Sequence, residues 1–496
     1  MHSDGTLFSQ GSGPQPDPSG GFVVPSFFQL PALRKRTLLS ALMLGVIAPL
    51  GAHSAQTPAS HPITDSDNRM FQQAMASLNA GNPSAAEPLL RELHGRHPDN
   101  YEIDESLGLL YASDGRLAPA LPLLSAAARE KPDADVAHAN LGTAYLKLGR
   151  TADAARELAR AAELNPSNAA TQQALGQAWM LLKQPGKAAD AFEAALPAND
   201  SNPDLLYNTA LALYDCGKAS QAEPLLARMP GVESSAEAQS LYGDVDEKLS
   251  RYEDAARHYA AAVQLQPSEA NLYVLGIEFL RHWTFDPAAK EFAAGVRVFP
   301  QSQRMHLGLG VALYGGGKYD QAIPVFADLL AQNPDNSMYA ELLGRTCTVL
   351  TEGQQPQCAA LIDYAQKHPK DAVLATYAAT SIIHQPADSG QLEQAHRLLE
   401  TAIRTNPNLP EARYGLGLLL QTESQWPQSI PELEAAIRLR PGYASAHYRL
   451  AMALSHTGQH EKAHTEIALE QKYNQQEQDG VDARLKQVTT FLVNMQ

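Results

Sequence analysis

The sequence predicts an all-α chain built from short helix pairs stacked one on another. Three observations lead there. A pattern of small, large and turn-forming residues returns about every 34 residues. Glycine and proline punctuate each copy of it. The composition is 44% hydrophobic but only 7% aromatic, which suits thin helical layers better than one large core.

Taken in order, residues 1–33 are rich in Gly, Pro, Ser and Gln, without hydrophobic periodicity, and read as a disordered extension. Arg34-Lys35-Arg36, the apolar run Leu38 to Leu50, and the small residues Gly51, Ala52, Ser54 and Ala55 describe a secretory signal peptide over 34–55. Pro49 interrupts the run, which is shorter than the ~20 apolar residues of a comfortable spanning helix. Cleavage is expected near Ala55, with a retained membrane anchor as the alternative. Residues 56–66 form a polar lead-in to the mature, periplasmic or extracellular chain.

The repeat is clearest from Asp135 to Asn168. Leu141, Gly142 and Tyr145 share one face of a first helix, being three and four residues apart. Gly149 allows a turn, and Ala154, Leu158 and Ala161 continue the spacing on a second helix. Asn165-Pro166 stops that helix. Small Gly142 and Ala154 let the two helices approach, while Leu141, Tyr145 and Leu158 fill the space around them. Earlier copies hold Ala74, Gly81, Ala86, Leu90 and Pro98, then Leu107-Gly108, Tyr111, Gly115, Ala120, Leu124 and Pro132. Later ones hold Leu175-Gly176, Trp179, Ala188 and Phe192, with Asp200 where Pro is expected, then Ala210, Tyr214, Gly217 and Leu226. Gly243, Tyr259 and Pro267, then Gly276, Phe292 and Pro300, then Gly310, Gly317, Phe326 and Pro334 continue the series. The stretches Gly344 to Pro369 and Ala372 to Pro407 carry insertions at their turns. Leu416-Gly417, Leu433 and Pro441, then Ala451, Gly458 and Ala463, complete about twelve copies over 67–477. Residues 478–496, with Val481, Leu485, Val488 and Leu492 at helical spacing, read as a C-terminal capping helix.

This order of Leu-Gly, aromatic, Gly, Ala and Pro positions resembles the tetratricopeptide repeat family, and the resemblance covers nearly all of the mature chain. It implies a right-handed superhelical solenoid in which the first helices line a concave face. It assigns to that face Tyr207, Tyr214, Tyr273, Tyr314, Tyr414 and Tyr448, with Arg304 and Arg345, alongside Gln173, Gln177, Asp244 and others. Tyrosines offer apolar area and a hydroxyl together, which suits a peptide or a polysaccharide. A subfamily that holds chaperone tails clamps a terminal carboxylate with Lys, Asn and Arg. Asn140 and Asn208 occupy one such Asn position, but the basic partners are missing, so that clamp is not implied.

Other chemistry is sparse. The net charge of −16 argues against a phosphate backbone or an anionic membrane surface as the main partner. His460-Glu461-Lys462-Ala463-His464 spells the H-E-x-x-H string of zinc proteases, two His one turn apart with a Glu base. The same residues are also the ordinary opening of a second repeat helix, and nothing marks a third ligand, so a metalloprotease is the minor alternative. His94 and His97 read as solvent-exposed helix-end residues. Cys347 and Cys358 flank the turn of one repeat and either form a disulfide or pack as small core residues; Cys216 is left over. The expectation is a non-catalytic, exported protein-interaction scaffold without a cofactor. The alternative is a periplasmic component of polysaccharide export or outer-membrane assembly.

Overall fold

The computed structural model describes residues 64–349, 356–385 and 387–476. Among them the regular elements are helices alone. The disordered extension, the signal peptide and the capping helix over 478–496 lie outside the described residues. The chain falls into two units that meet in sequence at Leu265 and Gln266.

The N-terminal unit contains six helix pairs: α1 (Asp65–Asn79) and α2 (Pro83–Arg96), α3 (Tyr101–Ser113) and α4 (Leu117–Glu130), α5 (Asp135–Lys147) and α6 (Thr151–Leu164). They continue with α7 (Ala169–Leu181) and α8 (Pro185–Ala195), α9 (Pro203–Asp215) and α10 (Ala219–Ala227), α11 (Ala236–Lys248) and α12 (Tyr252–Leu265). Helix α1 starts inside the stretch expected to be lead-in, because the Thr64 hydroxyl caps it by accepting from the Asp67 amide at 3.1 Å. The C-terminal unit pairs α13 (Glu269–Arg281) with α14 (Phe285–Val298), α15 (Gln303–Gly315) with α16 (Tyr319–Gln332), and α17 (Ser337–Val349) with α18 (Ala360–Lys367). It ends with α19 (Ala372–Ile383) and α20 (Ser389–Thr405), α21 (Pro410–Thr422) and α22 (Trp426–Leu439), and α23 (Ala444–His456) with α24, which spans 460–476.

Packing within a pair follows from one small position. A Cβ added to Gly142 would lie 2.6 Å from Leu158, one on Gly176 2.5 Å from Phe192, and one on Gly310 2.5 Å from Phe326. Each first helix therefore lets the large residue of its second helix lie directly on its backbone. Leu158, Phe192 and Phe326 are fully buried there. Each second helix then packs on the next first helix of its unit.

The turn inside a pair needs one left-handed residue. Gly81, Gly115, Gly149, Gly217, Gly317 and Gly458 hold it, with φ between 71° and 84°. Lys183, Ser250, Trp283 and Ser424 hold the equivalent turns without glycine, at φ between 57° and 62°. The junction between pairs is capped instead: Asn100, Asn168, Asn202, Ser235, Ser268 and Ser302 each accept from a backbone amide three residues on. The side chain four residues into the first helix ties it to the same junction. His138 Nε2 faces the Pro132 carbonyl at 3.2 Å and its Nδ1 faces Glu157 at 2.8 Å; His447 repeats this with Pro441 and Glu466 at 2.8 and 2.6 Å.

Proline departs from the expected pattern twice. Instead of standing at 200, it stands at Pro197, where α8 has already given way to a 3-10 turn over Leu196–Ala198. Pro88, Pro122, Pro224, Pro324 and Pro431 lie inside second helices, each at the sixth residue. That close to the start, the missing N–H costs one bond to the carbonyl of the second residue and the helix continues.

Candidate partner-binding face of the first helices

In the C-terminal unit, consecutive first helices carry arginine or tyrosine at these positions. The Arg304 guanidinium of α15 sits 5.0 Å from the ring centroid of Tyr273 on α13, and its Nε donates to Glu269 at 2.6 Å. That contact holds the Glu269 carboxyl below its ordinary range. Tyr273 meets Phe292 edge-on at 6.0 Å, and burial raises its phenol. On α17, Arg345 donates from Nε and Nη2 to Glu341 at 3.1 and 2.7 Å while about half of its side chain stays exposed. Tyr377 of α19 lies beside it; burial raises that phenol and the Arg345 charge pulls the other way. Tyr414 of α21 meets Tyr443 with ring centroids 5.0 Å apart. Tyr448 of α23 is 46% exposed, an open aromatic at a first-helix position.

The N-terminal unit instead buries polar side chains on its first helices. Glu105 of α3 is 1% exposed, and one of its oxygens accepts from the Asn140 amide of α5. Burial pushes its carboxyl up to about 7, with the Asn140 bond opposing the rise. Asp244 of α11 accepts from the Tyr259 hydroxyl at 2.8 Å. Asn208 of α9 is completely buried.

A sequence profile described as tetratricopeptide repeat matches residues 71–135, 140–203, 273–346, 387–423 and 414–476, more than half of the chain. The chain belongs to the tetratricopeptide repeat family. Families of this kind are in general non-catalytic scaffolds for protein interaction. Among solved structures, the Naa15/Naa10 complex bound to HypK-THB is similar at 14% identity and a TM-score of 0.40, covering 82% of this chain and 68% of that one. Cut9 with Hcn1, from an APC/C hetero-tetramer, is similar at 14% identity and a TM-score of 0.33, covering 86% and 96%. The repeat protein YrrB is similar at 21% identity and a TM-score of 0.33, covering 37% and 95%. No curated protein matches. The family assignment stands on the repeat profile and not on these likenesses.

On this tetratricopeptide chain the expected face residues separate by burial. Tyr448, Arg304 and Arg345 are exposed, while Tyr214, Tyr273, Tyr314 and Tyr414 are half-buried. Tyr207 is not a surface residue. It is 1% exposed inside a cluster with Phe192, Leu206 and Leu211, because α9 is apolar around most of its circumference. His94 and His97 also differ from the reading of free helix ends. His94 Nδ1 meets the buried Asp104 at 2.6 Å, and His97 Nε2 meets Asp67 at 3.1 Å. Asp67 is held at about 2, first by the His97 hydrogen bond and then by Thr64, with Arg96 adding to them. The Glu105–Asn140 pair was missed; its one sequence signal is an acid three residues before Gly108, where the next repeats carry Ala139, Gln173 and Tyr207.

The sulfurs of Cys347 and Cys358 lie 1.92 Å apart, with their Cα atoms 6.0 Å apart, and Cys216 is the free cysteine. His460, Glu461 and His464 lie exposed at the start of α24, and among the described residues they gather into no three-ligand set. An open pocket of about 350 Å³ nearby is lined by Ile437, Leu450 and Leu454 with the charged Glu434, Arg438 and Lys462, and not by either His. Among the described residues no helix is long and apolar enough to cross a membrane.

Proposed function

We propose that this chain is a non-catalytic scaffold that holds a partner polypeptide across its first helices. The observation that carries the reading is the exposed and half-exposed Tyr and Arg set on α13, α15, α17, α21 and α23. Arg304 and Arg345 are anchored by one carboxylate each and still about half open. Tyr448 is an aromatic left open where a packed repeat would bury one. Aromatic and guanidinium groups so placed are the usual anchors of an interface. A photo-crosslinking residue at position 448 should capture a partner from the native host, whereas one at Glu400 on the second helix α20 should not. Equal capture at both positions would discard the face assignment, and capture of glycan alone would favour the polysaccharide reading.

The scaffold is exported in this proposal. Support comes from the basic and apolar segments of 34–55 and from two cysteines at bonding distance, since disulfides persist in oxidising compartments. Amino-terminal sequencing of native protein should find a start near Ala55; an intact Met1 on cytoplasmic protein would refute export.

A further inference from the structure

In seven first helices, from Gly108 to Gly417, a Cβ added to the packing glycine would strike the side chain sixteen residues on, as Gly243 meets Tyr259 at 2.6 Å and Gly417 meets Leu433 at 2.7 Å. Gly344 of α17 breaks the series. Sixteen residues on stands Ala360, too small to fill the gap. The added Cβ would lie instead 2.5 Å from Tyr377 of the next first helix, α19. Helices α17 and α19 therefore pack directly on each other.

The second helix of that pair is loosely held. At eight residues α18 is the shortest α-helix among the described residues, and no side chain caps its start. A helix so short is marginal unless tertiary contacts keep it. It packs more on α19 than on α17, and its Ile362 lies against the cluster of Ala379, Ile382 and Leu399 on α19 and α20. Its covalent tie to α17 is Cys347–Cys358, which joins the last turn of α17 to the 3-10 turn Pro356–Ala359 leading into α18. The two cysteines are eleven residues apart in sequence, and both are buried.

We infer that the Cys347–Cys358 disulfide is a redox latch on α18. Reduction releases α18 from α17 and uncovers the cluster beneath Ile362, while Tyr377 on Gly344 keeps α17 and α19 joined and the first-helix face continuous. The inference goes beyond the scaffold reading and does not rest on it. Two electrons and two protons from a dithiol reductant convert the S–S bond to two thiols, and the reductant closes to its own disulfide. Loss of the cross-link restores conformational freedom to the opened state of a short loop, so the opening of α18 becomes more frequent.

The test is amide hydrogen exchange, read by mass spectrometry on the full chain carrying Cys216→Ser, so that no third thiol can exchange with the pair. Amides of α18 should exchange at least about tenfold faster after dithiothreitol than in the oxidised protein. Those of α17 and α19 should change by less than about twofold. Adding Cys347→Ser and Cys358→Ser should reproduce the reduced pattern without a reductant having to reach buried sulfurs. Reoxidation should restore the protection of α18. In Tyr377→Ala, or in Tyr377→Leu where the alanine variant does not fold, reduction should spread the faster exchange into α17 and α19. Equal exchange of α18 in both redox states would overturn the latch. Joint opening of α17, α18 and α19 in the chain that keeps Tyr377 would overturn it too, leaving the disulfide a staple of the whole unit. Failure of reoxidation to restore protection would show unfolding and not a switch. Confinement of the opening to α18 in the Tyr377 variants would overturn the role given to Tyr377.

Discussion

At the scale of the residue, the turn inside each pair shows how narrow some requirements are. A left-handed backbone costs a non-glycine residue about 1–2 kcal/mol, while glycine loses roughly 0.4–1 kcal/mol through the freedom of the unfolded chain. The first effect is larger, so glycine should win wherever the side chain touches nothing. Lys183, Ser250 and Ser424 are exposed and left-handed. Lys183→Gly, Ser250→Gly and Ser424→Gly should each raise stability by about 0.5–1 kcal/mol in urea titrations. Gly149→Ala, with open space around the new methyl, should lower it by about 1 kcal/mol through strain alone. Loss of stability in all three glycine variants would show that the turn is not strained.

At the scale of the element, a helix pair is set by how closely the first backbone meets the large residue of the second. Gly176 faces Phe192, whereas the next pair uses Ala210 with Leu226, and all four positions lie in buried layers. Gly176→Ala should therefore overpack the pair and cost about 1–3 kcal/mol. Adding Phe192→Leu converts it to the combination of the neighbouring pair and should recover about 1 kcal/mol, a coupling that a double-mutant cycle isolates. Strict additivity would mean that the two residues do not share one gap. The pair α17 and α18 differs in holding Cys347 and Cys358 at bonding distance. Protein isolated from an oxidising compartment and unfolded without reductant should expose one thiol, that of Cys216, and three after reduction. Three thiols before reduction would leave Cys347 and Cys358 as unbonded core residues.

At the scale of the molecule, the two units should respond to pH in opposite directions. In the N-terminal unit burial raises Glu105 and Glu130 to about 7 and Asp246 to about 6. A carboxyl raised on folding contributes stability that is present below its ordinary range and lost as pH climbs through the folded value. His258, lowered by burial, opposes them, and Asp104, raised by burial, acts with them. In the C-terminal unit His384 is lowered to about 4 by burial and by Arg449. It contributes stability that is present above its ordinary value and lost as pH falls; Glu291, raised by burial, opposes it in part. Chains that keep only Trp179 or only Trp426 report the two units separately. Between pH 5 and pH 8 the Trp179 midpoint in urea should fall and the Trp426 midpoint should rise. Glu105→Gln should raise the stability read at Trp179 at pH 8 by on the order of 2 kcal/mol, and by less at pH 5. A common direction for both tryptophans would refute this assignment of the charges.

The sequence by itself determined the class of fold, the period and the place of each pair. Those follow from local rules: small residues at Gly142 and Gly176, glycine at Gly149 and Gly217, and proline two residues past most second helices, as at Pro132 and Pro166. Each acts within one turn or one hairpin, so spacing along the chain is enough to reveal it. Only the tertiary structure decided which side chains on a first helix are open. Tyr207 and Tyr214 stand at comparable distance from the packing position, yet neighbouring helices cover the first wholly and the second in part. The bonds that join distant residues, Asn140 to Glu105 and Arg304 to Glu269 between neighbouring repeats and His97 to Asp67 between the two ends of one pair, span about 30 to 35 residues. No local pattern marks such pairs, because their energy comes from burial and from a partner on another helix, and both exist only once the helices have packed.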